Sequence, residues 1–358
     1  MIEKLDIENL ISNETIYSKN NEKLVLVSAS KRTKIEMARY ISINKEVAWL
    51  IGFFIAEGSK QMYSGIGIAN REIELIEKFK RAIEKEFGVN SKMWRAYIKT
   101  PMDRKNLNKI EKLWKKKLDI EHIKANNTKK ARQDIVDLRI HNTIFAIIFN
   151  KIVKKSLQII KNNKDLTKSF LDGYEVGDGS ILQRNGYLYG ICITVKDGDM
   201  KDFLYDCFKE LYDTVPRIRY TKGSFEISIT GVHNMTNLIL DGHFSSSKRQ
   251  WTKLIKCYLR KQYTRSHMRY WSILMDSPPL LINEIADKTN RSHWSVRDAL
   301  GKDTYFGLTK VIKKRVTGSD APYFKFYSLS KRGEELIKML NESREHEKEG
   351  FDTRCSRT

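Results

Sequence analysis

The chain reads as an α+β protein built on an internal duplication, with a smaller helical unit of different pattern after it. Three observations carry this reading. The stretch Leu50-Ile51-Gly52-Phe53-Phe54-Ile55-Ala56-Glu57-Gly58 returns as Leu171-Asp172-Gly173-Tyr174-Glu175-Val176-Gly177-Asp178-Gly179. After each copy the periodicity runs helix, strands, helix, strands, helix, with the acids Glu57 and Asp178 offset by 121 residues. Beyond residue 276 the pattern changes to two short helices, a hairpin and a last helix.

Length and charge bound the rest. At 358 residues the chain holds two or three domains and can bury a large core. Lys and Arg number 66 against 44 Asp and Glu, giving +22, while 41% of residues are hydrophobic. That balance excludes general disorder and favours a polyanionic partner, most often nucleic acid. Cys192, Cys207, Cys257 and Cys355 form no CxxC pair and no metal spacing, which predicts reduced, structural thiols. The acidic, polar N-terminus has no signal core, and no stretch is apolar enough for a membrane helix. The expected location is the cytoplasm, or an organellar matrix if the gene resides there.

Residues 1–46 form a leader with one strand-like run at 24–27, and no role follows from it. Lys31 and Arg32 belong to a short basic run. The first repeat is read as 47–160. Its opening helix ends at Glu57, with Gly58 as the stop. A strand around Ile66 and Ile68 follows, then a helix from Asn70, its N-cap, to Phe87. A strand spans Lys92 to Lys99. A charged insertion then carries a helix over 106–118. Another strand covers Asp134 to Ile140, and Asn142 opens a helix to about Ile152. The second repeat, 161–242, starts its helix near Thr167. Strands over 180–183 and 187–195 flank an Asn185-Gly186 turn. A helix over 199–212, a hairpin around Lys222-Gly223 and a helix opened by Val232-His233-Asn234 complete it.

Residues 243–276 are read as a basic linker helix after Ser245-Ser246-Ser247. Its Lys and Arg alternate with Trp251, Tyr258, Tyr263 and Tyr270. Two readings stay open: a helix along a phosphate backbone, or a solvated helix packed on the core by its aromatics. Residues 277–340 follow the order of a winged helix: a helix over 281–289, a helix capped by Ser292, a hairpin turning at 317–322, and a helix capped by Ser330. Arg297 lies on its second helix. A protein-binding winged helix is the alternative there. Residues 341–358 are a polar tail.

In the duplicated helices small residues recur every fourth position: Ala48, Gly52 and Ala56, then Ser169, Gly173 and Gly177. One face of each is therefore thin enough for two helix backbones to touch. Interior glycines cost about 1 kcal/mol each relative to alanine and so ask for such a packing reason. If the faces meet, Glu57 and Asp178 end side by side at the helix ends. Two carboxylates so placed repel unless a cation sits between them, and a divalent metal is the natural candidate. A lone acid at a helix end is a solvated terminus; two at matched positions favour the metal site. Asp172 and Glu175 lie off the small-residue face, which predicts surface or salt-bridge roles.

With both motifs, their glycines and both acids present over about 47–242, the chain resembles the LAGLIDADG homing endonucleases in their single-chain, two-repeat form. The resemblance implies two pseudo-symmetric αββαββα halves packed through the motif helices. Their sheets together would form a saddle over DNA, with the winged-helix unit as an extension outside the family core. It implies a monomer that binds a long asymmetric double-stranded site and cuts both strands across the minor groove, leaving short 3′ overhangs. It implies Mg²⁺ (or Mn²⁺), two or more ions shared between Glu57 and Asp178, with the carbonyls of Ala56 and Gly177 helping to hold them. It also implies an auxiliary basic residue in each half, for which Lys60, Lys196, Lys222, His141 and His233 are candidates. The two histidines are better read as helix-start residues packing locally. Sequence readout is expected from strand side chains: Arg95, Lys99, Arg139, Arg184, Arg217, Arg219 and Lys222, since Arg grips guanine bidentately. The rival classes are an intron RNA maturase and a DNA-binding regulator that has lost cutting. An intein origin is disfavoured, because no nucleophilic Cys or Ser begins the chain and no His-Asn ends it.

Overall fold

The computed structural model describes residues 3–11, 15–19, 22–28, 33–58, 64–104, 106–260, 262–315 and 323–342. Lys60, Lys31, Arg32, Cys355, the turn at 317–322 and the tail from 343 lie outside these. The leader is structured. Strands β1 (Lys4–Asp6) and β5 (Tyr40–Ser42) pair antiparallel, and β2 (Thr15–Lys19), β3 (Lys23–Ser28) and β4 (Lys34–Ala38) form a meander between them. Alternation in β3 and β4 sends Leu24, Leu26, Ile35 and Met37 into the core.

The first half begins with α1 (Lys45–Glu57), capped by Asn44, which accepts the Val47 N–H at 2.9 Å. Then come β6 (Ile66–Asn70), α2 (Ile73–Phe87), β7 (Trp94–Thr100), α3 (Leu107–Leu118), β8 (His122–Asn127), β9 (Ile135–Ile140) and α4 (Thr143–Lys161). The sheet order is β6-β9-β7-β8. Three expectations change here. Strand β8 was not foreseen; it lies parallel to β7, and α3 supplies the crossover that parallel pairing needs. Helix α4 continues past Ile152 to Lys161, because its apolar face persists to the buried Ile160. Asn70 does not cap α2: Glu72 holds that position, and the Asn70 side chain accepts the N–H groups of Arg71 and Glu72 instead.

The second half repeats the plan without the insertion: α5 (Lys164–Asp178), β10 (Gly179–Arg184), β11 (Tyr187–Val195), α6 (Gly198–Tyr212), β12 (Arg217–Thr221), β13 (Ser224–Thr230) and α7 (Val232–Leu240). Its sheet order is β10-β11-β13-β12. Strands β6, β9 and β7 thus match β11, β13 and β12. Helix α5 starts at Lys164 rather than Thr167, because Asn163 accepts the N–H groups of Asp165 and Leu166. Neither Gly58 nor Gly179 stops its helix in a left-handed conformation: both are extended, at φ −65° and −88°.

The linker is two helices, α8 (Lys248–Leu259) and α9 (Gln262–Met275), not one. Tyr258 and Tyr270 are buried, which favours the packed reading. The last unit holds β14 (Leu280–Leu281), α10 (Ile282–Thr289), α11 (His293–Tyr305), β15 (Thr309–Lys314), β16 (Phe324–Leu329) and α12 (331–342). Its sheet order is β14-β16-β15. This unit packs on the second half through a His233–Phe306 stack at 4.8 Å and an Arg332–Asn237 hydrogen bond.

Candidate active site

Helices α1 and α5 cross in backbone contact. A Cβ on Gly52 would drive into the Phe170 carbonyl and come within 3.0 Å of the Tyr174 nitrogen. A Cβ on Gly173 would drive into the Trp49 carbonyl and reach 3.0 Å from the Phe53 nitrogen. Only glycine permits this approach at either position. Ala48 is fully buried. Ser169 is half-buried and lines a cleft with Trp49 and Lys45 of α1, its hydroxyl donating to the Asp165 carbonyl at 3.1 Å.

Toward the C-termini the spacing stays tight. A Cβ on Gly177 would stand 2.6 Å from Ala56 Cβ and 2.9 Å from Glu57 Cγ. The carbonyls of Ala56 and Gly177 belong to the last turns of their helices, where carbonyls have no intrahelical partner. Two helix ends, each with the negative end of its dipole, therefore converge with two carboxylates. Glu57 is partly buried and Asp178 is exposed. Asn70 Nδ2 donates to Glu57 Oε1 at 2.8 Å. Burial and the Asp178 carboxylate push the Glu57 carboxyl up to about 7, against the Asn70 hydrogen bond and the Arg71 charge. Among the described residues no group of three or more His, Cys, Asp or Glu is placed to hold a metal ion. Further donors must therefore be carbonyl, amide or water oxygens. Two carboxylates with such oxygens fit a hard divalent cation.

Asp172 and Glu175 are not surface residues. Both are buried on the side of α5 facing residues 243–247. His243 Nδ1 lies 2.7 Å from Glu175 Oε1, and its Nε2 lies 2.5 Å from the Tyr212 hydroxyl. Burial opposes a charged His243, yet the Glu175 carboxylate raises it overall. Asp172 accepts both the hydroxyl and the N–H of Ser246. No local pattern marks these pairs, because each partner lies 68 or 74 residues further along the chain.

The strand candidates sort by face. In the first sheet Arg95 registers with Arg139, and Tyr97 with Asp137, while Trp94, Ala96 and Ile98 point to the core. Arg95, Lys99 and Arg139 thus share the outer face. Asp137 occupies it too. Arg139 donates to its carboxylate at 2.6 and 2.7 Å and Lys99 at 3.1 Å, so these two cations are held in an ion cluster rather than extended. In the second sheet Arg217 registers with Ser228 and Arg219 with Glu226, on the face opposite Ile227 and Ile229. A bulge between Leu182 and Gln183 resets β10, so that Arg184 registers with Tyr187. Lys222 stands exposed at the β12–β13 turn with φ +51°. Arg297 is exposed on α11, its guanidinium 5.8 Å from the ring centre of the exposed Trp294. His141 is exposed, with Nε2 3.2 Å from the Tyr97 hydroxyl. Burial, then Arg139 and Arg95, lower its pKa. His233 packs on Phe306 of the last unit, so its surroundings do not match those of His141. Lys196 is exposed just after β11.

The family model of the LAGLIDADG-like domain matches residues 44–154. No curated protein matches the chain. Among solved structures the chain is similar to full-length DUF199/WhiA from Thermatoga maritima, at 11% identity over 73% of this chain and 90% of that one, with a TM-score of 0.37. It is similar to the N-terminal LAGLIDADG domain of DUF199/WhiA, at 11% identity over 56% and 83%, with a TM-score of 0.36. It is also similar to the homing endonuclease I-WcaI bound to its DNA recognition sequence, at 13% identity over 58% and 87%, with a TM-score of 0.34. No helix among the described residues is long and apolar enough to cross a membrane.

Proposed function

Residues 44–154 form a LAGLIDADG-like domain, and from that premise we propose that the chain is a site-specific, divalent-metal-dependent double-strand DNA endonuclease. The observation that carries the reading is the acid pair: Glu57 and Asp178 at matched ends of helices that touch through Gly52 and Gly173, with the Glu57 carboxyl pushed up to about 7. Their carboxylates and the Ala56 and Gly177 carbonyls would hold Mg²⁺ or Mn²⁺. Such a cation supplies activation of water and relief of charge on the leaving oxygen. Each acid serves one strand. The net charge of +22 supplies attraction to phosphate. The outer faces of the two sheets carry the readout, through Arg95, Lys99, Arg139, Arg184, Arg217, Arg219 and Lys222. The last unit acts as a winged helix that extends the footprint through Arg297. The protein works as a monomer, because one chain contributes both acids.

The test is selection of cleaved duplexes from a randomised library with Mg²⁺. Recovery of one long asymmetric site, cut in both strands, is the expected result. Cleavage undiminished in a Glu57→Gln/Asp178→Asn double variant would overturn the reading. Tight binding of a duplex without cutting would make the chain a regulator. Specific binding of intron RNA alone would make it a maturase.

A further inference from the structure

The three serines after the second half do more than end it. Ser246 stands between the halves. It accepts from Lys78 Nζ of α2 at 2.6 Å, and its hydroxyl and N–H donate to Asp172 of α5. Lys78 is held in place by the Trp49 ring, 3.9 Å below its ammonium. Ser247, buried at 1% exposure, donates to Glu72 of the first half at 2.5 Å. It also accepts the N–H of Gln250 at 3.1 Å. Gln250 Nε2 donates to the Val176 carbonyl of the second half at 3.3 Å. Arg249 adds a 2.9 Å ion pair to Glu72. Glu72 makes no capping bond to its own helix; its carboxylate goes to the start of α8 instead.

These contacts form two rungs, Lys78–Ser246–Asp172 and Glu72–Ser247–Gln250–Val176. Each joins one half to the other through residues outside both. The second rung reaches the surroundings of both acids. Glu72 lies two residues from Asn70, which holds Glu57, and Val176 lies two residues from Asp178. Helices α1 and α5 touch at Gly52 and Gly173 and again where Gly177 meets Ala56, along a single seam. Contacts away from that seam resist rotation of one half about it. Gln250 also carries a cost: its Oε1 is buried with no hydrogen-bond partner. An apolar side chain at this position would avoid that cost, so the amide is explained by what its nitrogen holds.

We propose that Ser246, Ser247 and Gln250 are positioning residues that staple the two halves and thereby set the separation of Glu57 and Asp178. The consequence for cation binding rests on the endonuclease reading; the staple itself does not. The test uses the full chain with Cys355→Ser and nitroxide labels at Lys92→Cys and Lys209→Cys, exposed sites on opposite halves. Cys192, Cys207 and Cys257 are buried and should resist labelling. Distance distributions by double electron–electron resonance and Mn²⁺ affinity by titration are compared with and without Ser246→Ala/Gln250→Leu. The expected result is a broader or shifted distribution, with Mn²⁺ binding about tenfold weaker, the size of effect that supporting residues have at metal sites. Circular dichroism and the unfolding midpoint report whether the variant remains folded. If it does not, Gln250→Leu alone, which removes the orphaned oxygen, takes its place. An unchanged distribution overturns the staple. If the unmodified protein binds no Mn²⁺ while the distribution still broadens, the cation reading fails and the staple stands.

Discussion

Glu57→Gln is expected to stabilise the protein above neutral pH in the absence of divalent ions. The folded Glu57 carboxyl keeps its proton up to about pH 7, whereas the ordinary value is 4.5. Between those values the folded state binds more protons than the unfolded one. Stability from this group is therefore fully present below about 4.5 and is lost as pH rises through 7. At about 1.4 kcal/mol per pH unit the whole loss is about 3 kcal/mol, or about 2 once solvent screening of the exposed part of the carboxylate is allowed for. Glutamine keeps the shape and the acceptor for Asn70 but cannot ionise. Chemical denaturation in EDTA at pH 4.5 and pH 8 measures the difference. The variant should match the parent at the lower pH and exceed it by about 2–3 kcal/mol at the higher. Mg²⁺ should close the gap by stabilising the parent alone. A variant equal to or weaker than the parent at pH 8 would refute the account of a Glu57 carboxylate desolvated beside the Asp178 charge.

Other outcomes follow from the same geometry. Gly52→Ala or Gly173→Ala should cost about 3 kcal/mol or more or prevent folding, since the new methyl meets backbone on the facing helix. Gly301→Ala, where nothing lies within 4 Å, should instead stabilise by about 1 kcal/mol; thermal unfolding of the three reads this out. Glu175→Ala should cost about 3–5 kcal/mol in denaturant unfolding, because it strands the buried His243. Asp137→Asn should release Arg139 and Lys99 from their cluster. Binding to a random duplex should then tighten, and the slope of log affinity against log salt should steepen by about one to two.

Short-range pattern made the centre of this molecule readable. The repeated nonapeptide marks α1 and α5, the fourfold spacing of small residues marks the face where they touch, and the matched acids mark the helix ends. All three are properties of single helices, where neighbours in space are three or four residues apart. Asn142 as a cap and the alternation of Trp94, Ala96 and Ile98 belong to the same class of signal. Strand β8 escaped because the His122–Asn127 run has no clear alternation and owes its place to pairing with β7. Asp172 and Glu175 read as surface or salt-bridge residues because an acid is costly to bury unless a partner waits, and Glu175 is indeed paired, with the buried His243. The partners, Ser246 and His243, lie beyond the rest of the second half in the chain and meet these acids only in the tertiary structure.

By itself the sequence determined the duplication, the two motif helices, their acids and the glycines that let backbones meet. Periodicity and local sterics suffice for these. Only the tertiary structure decided that the segment after the second half joins the two, that Arg139 and Lys99 rest on Asp137, and that the Glu57 carboxyl holds its proton to about pH 7. Each of those depends on desolvation and on charges brought together from distant parts of the chain, and neither is encoded in any short stretch of residues.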